Sequence, residues 1–236
     1  MRPSPSEQIS EKHRVMKQAV LAVAALTSTG CAGLGSYQSP HTLEEGAVEF
    51  QLQPQFRGAV TSEGPGALPM LDLAVKYGID GASDFGVKLG ASGLTFDYKR
   101  RLVKSDTLVV SIDPVIGGFF LGAGGVGGGF FTVGLPLIIG LQMGDKAELV
   151  LAPKVFYTNG MLTGLDSSAS GAALNPGLSV GFALELGRTF RVMPEFSVAK
   201  PIVMSQGQSQ AADGITFAFG VGFGFGGGHD GRKYRK

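Results

Sequence analysis

Apolar side chains recur at every second position, in segment after segment, between residues 46 and 225. Such period-two alternation is typical of β-strands whose two faces differ. The last segment shows it most clearly, because its first face carries only large apolar residues: Ile215, Phe217, Phe219, Val221, Phe223 and Phe225. Its second face carries only Thr216, Ala218, Gly220, Gly222 and Gly224. The sequence therefore predicts a sheet without a conventional core on its smaller face.

Two environments suit a sheet of this kind. In a bilayer, lipid covers the bulky face, and a closed antiparallel barrel pairs every backbone N–H and C=O. In water, the faces would be reversed, and a soluble periplasmic barrel would surround an apolar ligand. Its exterior would then be unusually rich in Gly and poor in Lys and Glu. We therefore predict an all-β, antiparallel, up-and-down transmembrane β-barrel over residues 46–226.

The composition agrees with a single principal domain. The chain has 236 residues and a net charge of +1, so no charge excess indicates a nucleic-acid partner. Its 38 glycines follow no G-X-Y period, which excludes collagen, and its apolar content is too high for a disordered chain. The glycines are expected to line a crowded barrel interior.

About ten strands are predicted, with eight or twelve as alternatives. Connections are short after the even strands and mostly longer after the odd ones, with loops predicted at 61–69, 118–129, 159–173 and 202–213. Bulges or local breaks are expected where prolines fall inside predicted strands, at Pro54, Pro114, Pro136, Pro153 and Pro194. Residues 114–144 carry no charge and are long enough for a membrane helix, but their many glycines, at about 1 kcal/mol each, and Pro136, at about 3 kcal/mol, argue against one.

Charged residues punctuate the smaller face. We predict that they form ion pairs inside the barrel, which makes their burial tolerable, or contact a small polar solute: Lys76, Lys99, Arg101, Asp113, Glu148, Lys154, Arg191 and Glu195. His13, His41 and His229 all lie outside the predicted strands, and no acidic or histidine spacing suggests a metal site. We therefore predict neither catalysis nor a cofactor.

The amino terminus has the layout of a secretory signal over residues 1–30, with an apolar run at 19–26, and translation is expected to start at Met16. Cys31 is the only cysteine, so it cannot form an intramolecular disulfide. The preceding residues resemble the lipobox of bacterial lipoproteins, although Ser28 stands where that family has Leu or Val. The resemblance implies acylation of Cys31, including palmitate, with residues 31–45 as a lipidated flexible tether.

The last strand resembles the barrel-assembly signal of outer-membrane proteins through Gly220, Phe223 and Phe225, followed by a basic periplasmic tail at 227–236. The chain thus resembles the bacterial outer-membrane β-barrel superfamily. This implies the outer membrane of a Gram-negative bacterium, periplasmic termini, and contacts with outer-membrane lipids and with the lipoprotein-sorting and barrel-assembly machinery. A structural or surface-interaction role is expected, and the alternative within the membrane is a narrow channel for small polar solutes.

Overall fold

A computed structural model describes residues 35–227, except 63, 91–92, 124–125, 145, 164–167, 188, 206–207 and 212–213. The signal segment, Cys31 and most of the basic tail therefore lie outside the described residues. The described chain forms thirteen strands: β1 (Val48–Thr61), β2 (Gly64–Gly78), β3 (Ser83–Gly90), β4 (Gly93–Lys104), β5 (Leu108–Ile112), β6 (Val115–Ala123), β7 (Val126–Gln142), β8 (Ala147–Thr163), β9 (Ser168–Glu185), β10 (Phe190–Ala199), β11 (Ile202–Ser205), β12 (Gln208–Ala211) and β13 (Ile215–Gly226).

All pairings are antiparallel, and they close the sheet on itself. Neighbours in sequence pair from β1 to β4, and both β5 and β6 lie between β4 and β7, where they share one position of the wall. The wall continues through β8, β9 and β10 to β13, which pairs with β1. The β11–β12 hairpin extends this wall beside β9. The predicted ten-strand barrel is confirmed, with two extra strands.

The two faces of the wall have opposite chemistry. On β1, Phe50 is 58% exposed, whereas the adjacent Glu49 is 1% exposed. The same alternation runs around the barrel, with apolar side chains outside and polar ones inside. The outward residues from Phe50 to Val60 span about 25 Å for a tilted strand, the height of a lipid-facing band. The soluble alternative is wrong, because it requires the apolar face inside.

The barrel has two distinct ends. We call the end where β2 joins β3, β4 joins β5, β7 joins β8 and β9 joins β10 the turn end, and the opposite end the hairpin end. The loops predicted at the hairpin end are mostly strand, because the backbone pairing continues almost to each tip. In the 118–129 segment, glycines permit this pairing, since a Cβ on Gly129 would lie only 2.2 Å from the Phe119 carbonyl oxygen.

Local breaks do occur at four of the five prolines for which they were predicted. At Pro114 the strand itself is interrupted, between β5 and β6, and the pairing register with β4 and β7 is the same on both sides of the break. At Pro54, Pro153 and Pro194, one of the two neighbouring ladders skips two pairs and resumes in register. Among the described strand pairs, the one shift of register lies between Arg101 and Val103, where there is no proline. A missing N–H therefore removes a bond locally without shifting the faces.

Edge protection explains two further prolines. The Gly78 N–H donates to the Ala47 carbonyl, so the backbone groups of even-numbered residues of β2 bond to β1, and those of odd-numbered residues point toward β3. β3 pairs with β2 only as far as Leu73, so the odd-numbered residues before Leu73 lie on an open edge. Pro65 and Pro69 are odd positions of this edge, where a missing donor discourages the addition of a foreign strand.

Within the described residues, no helix is long and apolar enough to cross a membrane. The uncharged stretch 114–144 forms β6 and β7 instead. Its aromatic residues divide between the two faces. Phe120 and Phe131 are exposed on the outside, whereas Phe130 is buried, as is Phe156 on the neighbouring strand β8. Phe130 packs edge-to-face against Phe119 with ring centroids 4.7 Å apart.

Candidate functional site: the occupied lumen

Residues 35–43, which we call the lumen segment, lie inside the barrel. Every one of them is buried, although none belongs to a strand, and Leu43 alone makes a single β-bridge. This differs from the flexible tether predicted for residues 31–45. The physical reason is that the inward face is polar, and an uncharged polar segment offers it hydrogen-bond partners that water would otherwise have to supply.

Glu195 on β10 holds the upstream part of the lumen segment. Its carboxylate accepts the backbone N–H of Ser36 at 2.8 Å and that of Tyr37 at 2.7 Å. The Ser197 hydroxyl also donates to it, at 2.9 Å. Tyr37 has a φ of 46°, in the left-handed region, and this turn aims two successive N–H groups at one anion. Bonds of this charge-assisted kind are the strong ones.

Glycines of β13 make room for the Tyr37 ring. A Cβ on Gly222 would lie 2.8 Å from Tyr37 Cβ, and a Cβ on Gly220 would lie 2.5 Å from the Tyr37 hydroxyl oxygen. The ring therefore lies against a wall that no larger residue could form. This accounts for part of the glycine content, since each of these positions faces inward between apolar residues that face lipid.

Basic residues bind the middle of the lumen segment. Lys76 Nζ donates to the Gln38 side-chain oxygen at 2.7 Å, and Lys99 Nζ donates to the Ser39 carbonyl at 3.3 Å. Arg191 donates to the Ser39 hydroxyl at 3.0 Å. Three cations on three different strands thus converge on two consecutive residues.

The downstream part of the lumen segment reaches the turn end. The Ser111 hydroxyl donates to the Pro40 carbonyl, and His41 Nε2 lies 3.2 Å from Glu148 Oε1. The Thr42 hydroxyl donates to the carbonyl of Gly81, which is in the β2–β3 connection, at 2.6 Å. The segment therefore runs from the turn end into the middle of the barrel.

Ion pairs complete the lining. Lys76 lies 2.7 Å from Asp97, and Lys99 lies 3.1 Å from Asp84. Two further buried pairs join Arg191 to Glu49 at 2.8 Å and Arg57 to Asp72. The wall of β2 to β4 is thus an alternating network of charges, in which each carboxylate named here has a cation as its neighbour.

The structure places all eight charges predicted for the lumen on the inward face. Seven are buried, and Arg101 is half-buried, with a bond from its guanidinium to Thr42. Lys154 contacts the Ser179 and Ser197 hydroxyls. Sequence reasoning missed the lumen segment itself. The only signals for it were an uncharged polar stretch just before β1 and the glycine face of β13.

Gly220 faces inward, and Phe223 and Phe225 alternate with inward-facing glycines on β13. Their predicted role in assembly stays a prediction. His41 does lie outside the strands, but inside the lumen. It is 5% exposed and Glu148 is 0% exposed, so a substrate has no access to this pair. In the described part of the chain, no three His, Cys, Asp or Glu side chains are grouped as metal ligands would be.

The Tyr37 hydroxyl is the titratable group of the lumen segment whose environment is most distinctive. Burial, and next the negative charge of Glu195, raise the pKa of this hydroxyl above its ordinary value. Tyr37 therefore stays neutral at every physiological pH, and its ring can remain beside the Glu195 carboxylate.

No family model matches the sequence, and no curated protein matches it in sequence. Among solved structures, the chain is similar to the attachment invasion locus protein Ail of Yersinia pestis, with 11% identity over 77% of this chain and 99% of Ail and a TM-score of 0.42. It is similar to Neisserial surface protein A, with 12% identity over 77% and 99% and a TM-score of 0.42. It is also similar to the outer-membrane protease OmpT of Escherichia coli, with 8% identity over 81% and 100% and a TM-score of 0.46.

Proposed function

We propose that this chain is a bacterial outer-membrane β-barrel that its own lumen segment holds closed, with a structural or surface-interaction role. The observation that carries the proposal is the burial of residues 35–43 within the barrel. A diffusion channel needs a continuous water path lined by solvated polar groups. Here many inward polar groups contact the lumen segment or one another, and Ser111 and Ser197 have no exposed surface.

Conductance tests this role directly. Protein refolded from the cytoplasm, and therefore not acylated, is inserted into planar bilayers after a heat-modifiability gel has shown that the barrel is folded. We expect folded protein to give no conductance steps. Regular single-channel steps from folded wild-type protein would contradict the closed state.

The proposed interaction surface is the hairpin end. If both termini are periplasmic, the paired hairpins of β1–β2, β6–β7 and β8–β9 extend outward from the cell. An epitope inserted at residues 164–167 should then bind antibody on intact cells, and the same epitope in the β4–β5 turn at 105–107 should not. The opposite result would reverse the orientation.

We propose separately that Cys31 is lipidated, with the lipoprotein-sorting and barrel-assembly machinery as transient partners, and the closed state above is that of the chain without this lipid. The short chain between Cys31 and Gly35 limits where this lipid can lie. Four residues carry the chain from Cys31 to Gly35, a reach of at most about 14 Å. Gly35 adjoins Gln55, which is seven residues along β1 from Val48 at the turn end, about 23 Å along the strand and about 18 Å in height at a tilt of about 40°. A lipid on Cys31 in the turn-end leaflet would therefore pull the lumen segment away from its seat.

This length constraint favours a second candidate function, a narrow channel for small polar solutes in the acylated chain. Protein purified from membranes, with acylation verified by mass, should then conduct, and the Cys31→Ala protein should be closed. If neither protein conducts, the channel proposal fails and the closed barrel stands. If the two proteins conduct equally, the channel proposal fails together with the closed barrel.

A further inference from the structure

We propose that the lumen is a peptide-binding site, which takes an uncharged peptide that turns at its tyrosine and is occupied in this structure by the chain's own residues 35–43. The proposal rests on the closed state described above, and it adds that the covalent link to β1 is not needed for binding. The ligand is the stretch 35–43 itself, which the site therefore also accepts when it is supplied as a separate peptide.

Contacts with the wall are distributed along the lumen segment and not concentrated at its link to β1. Ser36 and Tyr37, eleven or more residues before β1, make the charge-assisted bonds to Glu195. Gln38 and Ser39 bind Lys76, Lys99 and Arg191. The linking residues Glu44 and Glu45 are exposed, as is Gly46.

Many of the bonds from the wall go to the backbone of the lumen segment. Glu195 accepts two backbone N–H groups, Ser111 donates to the Pro40 carbonyl, and Lys99 donates to the Ser39 carbonyl. Asp84 accepts the backbone N–H of Leu43 at 3.3 Å. Contacts of this kind require an accessible polypeptide backbone but few particular side chains.

Two features of the wall restrict which peptides the lumen can bind. Tyr37 fits the glycine face at Gly220 and Gly222, and its hydroxyl lies 3.5 Å from the Gln55 side-chain oxygen. The segment carries no carboxylate or ammonium group, and the three cations that contact it, Lys76, Lys99 and Arg191, already pair with carboxylates of the wall. An added charge on the peptide would disturb this balance. We therefore infer a ligand with a tyrosine near its start and neutral polar residues after it.

The experiment breaks the covalent link and asks whether the peptide stays. A specific protease site is inserted between Glu45 and Gly46 of the full chain, and the folded, unacylated protein is cleaved in detergent and passed through a size-exclusion column. We expect the released fragment to co-elute with the barrel. Excess synthetic peptide of residues 35–43, carrying a fluorophore, should then replace it, and a peptide with Tyr37→Asp should replace it at least tenfold less well.

Two results would overturn the inference, and they are distinguishable from failure of the closed state. If the fragment is lost on the column, the barrel becomes conducting, and the synthetic peptide does not block it, the segment closes the barrel only through its link. If the tyrosine and aspartate peptides bind equally, the glycine face does not select. If the fragment is lost and the barrel still does not conduct, closure by the lumen segment is itself wrong.

Discussion

Two parts of the lumen wall, on either side of β1, hold the same segment by different means. The β13 wall is made of glycines and alanine and offers space, into which the Tyr37 ring fits. The wall of β2 to β4 is made of paired charges and offers hydrogen bonds from Lys76 and Lys99. The glycine wall leaves no room for a larger side chain beside Tyr37. The charged wall tolerates side chains of another shape but not the loss of a charge. Substitutions on the two walls should therefore fail in different ways.

The largest effect is expected on the glycine wall. In Gly222→Leu, the new side chain would occupy the position of the Tyr37 side chain, because even a Cβ there lies 2.8 Å from Tyr37 Cβ. We expect the barrel to stay folded and the lumen segment to be expelled, so that folded protein conducts in planar bilayers. The matched control is Gly224→Ala, where a Cβ lies 3.2 Å from the flexible Glu49 carboxylate. Equal conductance of the two variants would show that Tyr37 does not close the barrel.

On the charged wall, the expected loss is in stability. Lys76→Met removes the cation beside Asp97 and Asp84 and leaves buried carboxylates without it, which should cost about 3–5 kcal/mol. Urea unfolding in liposomes measures this loss. The double variant Lys76→Met/Asp97→Leu should recover much of it, because both members of the pair are then apolar.

The exposed pair Arg100–Asp80 at the turn end serves as the control for Lys76→Met. Both side chains are about half exposed, and solvent screens their attraction. Arg100→Met should therefore leave the unfolding midpoint almost unchanged. An equal loss of stability in Lys76→Met and Arg100→Met would mean that a buried ion pair of the lumen matters no more to stability than an exposed one.

An intermediate effect is expected at Glu195. Glu195→Gln keeps the shape but removes the charge that strengthens the bonds from the Ser36 and Tyr37 N–H groups, each worth about 1.5–3 kcal/mol. We expect intermittent conductance, as the segment leaves and returns, without loss of the fold. Glu185→Gln, on the inward face of β9, is the control. A silent Glu195→Gln barrel would show that this carboxylate does not hold the segment.

The smallest effect is expected at the Tyr37 hydroxyl. Tyr37→Phe removes only a long contact of 3.5 Å to Gln55 and should keep the barrel closed at neutral pH. Because the pKa of Tyr37 is raised above the ordinary value of about 10, wild-type seating is unaffected below pH 10 and weakens as the pH rises beyond it. Conductance measured against pH should rise above pH 10 in the wild type and not in Tyr37→Phe.

The difference between the walls also explains what the sequence could predict. Strand alternation on β13 fixes which residues face lipid, because slipping by one position would bury phenylalanines in the lumen and expose glycines to lipid. The charged positions of β2 to β4 follow from the same rule. Both faces are local patterns, and the strand count and the inward charges could therefore be predicted from them.

Other features depend on contacts between distant parts of the chain. The lumen segment has no periodicity of its own, and its partners Glu195 and Arg191 lie more than 150 residues away. Glycine-rich residues 118–129 were predicted as a loop from composition, although close approach of two strands also requires glycine. Composition alone does not distinguish a turn from tight pairing.

The most direct test of the occupied lumen is the reactivity of one thiol inside it. Ser39→Cys, in a Cys31→Ser background, places a thiol of nearly the same shape at a position that is 2% exposed. Ser105→Cys, in the exposed turn between β4 and β5, gives the reference rate. In folded protein with a bulky polar maleimide, we predict labelling at position 39 at least a hundredfold slower than at 105, and equal rates after unfolding in urea. Equal rates in the folded protein would contradict the account, because residues 35–43 would then be open to solvent.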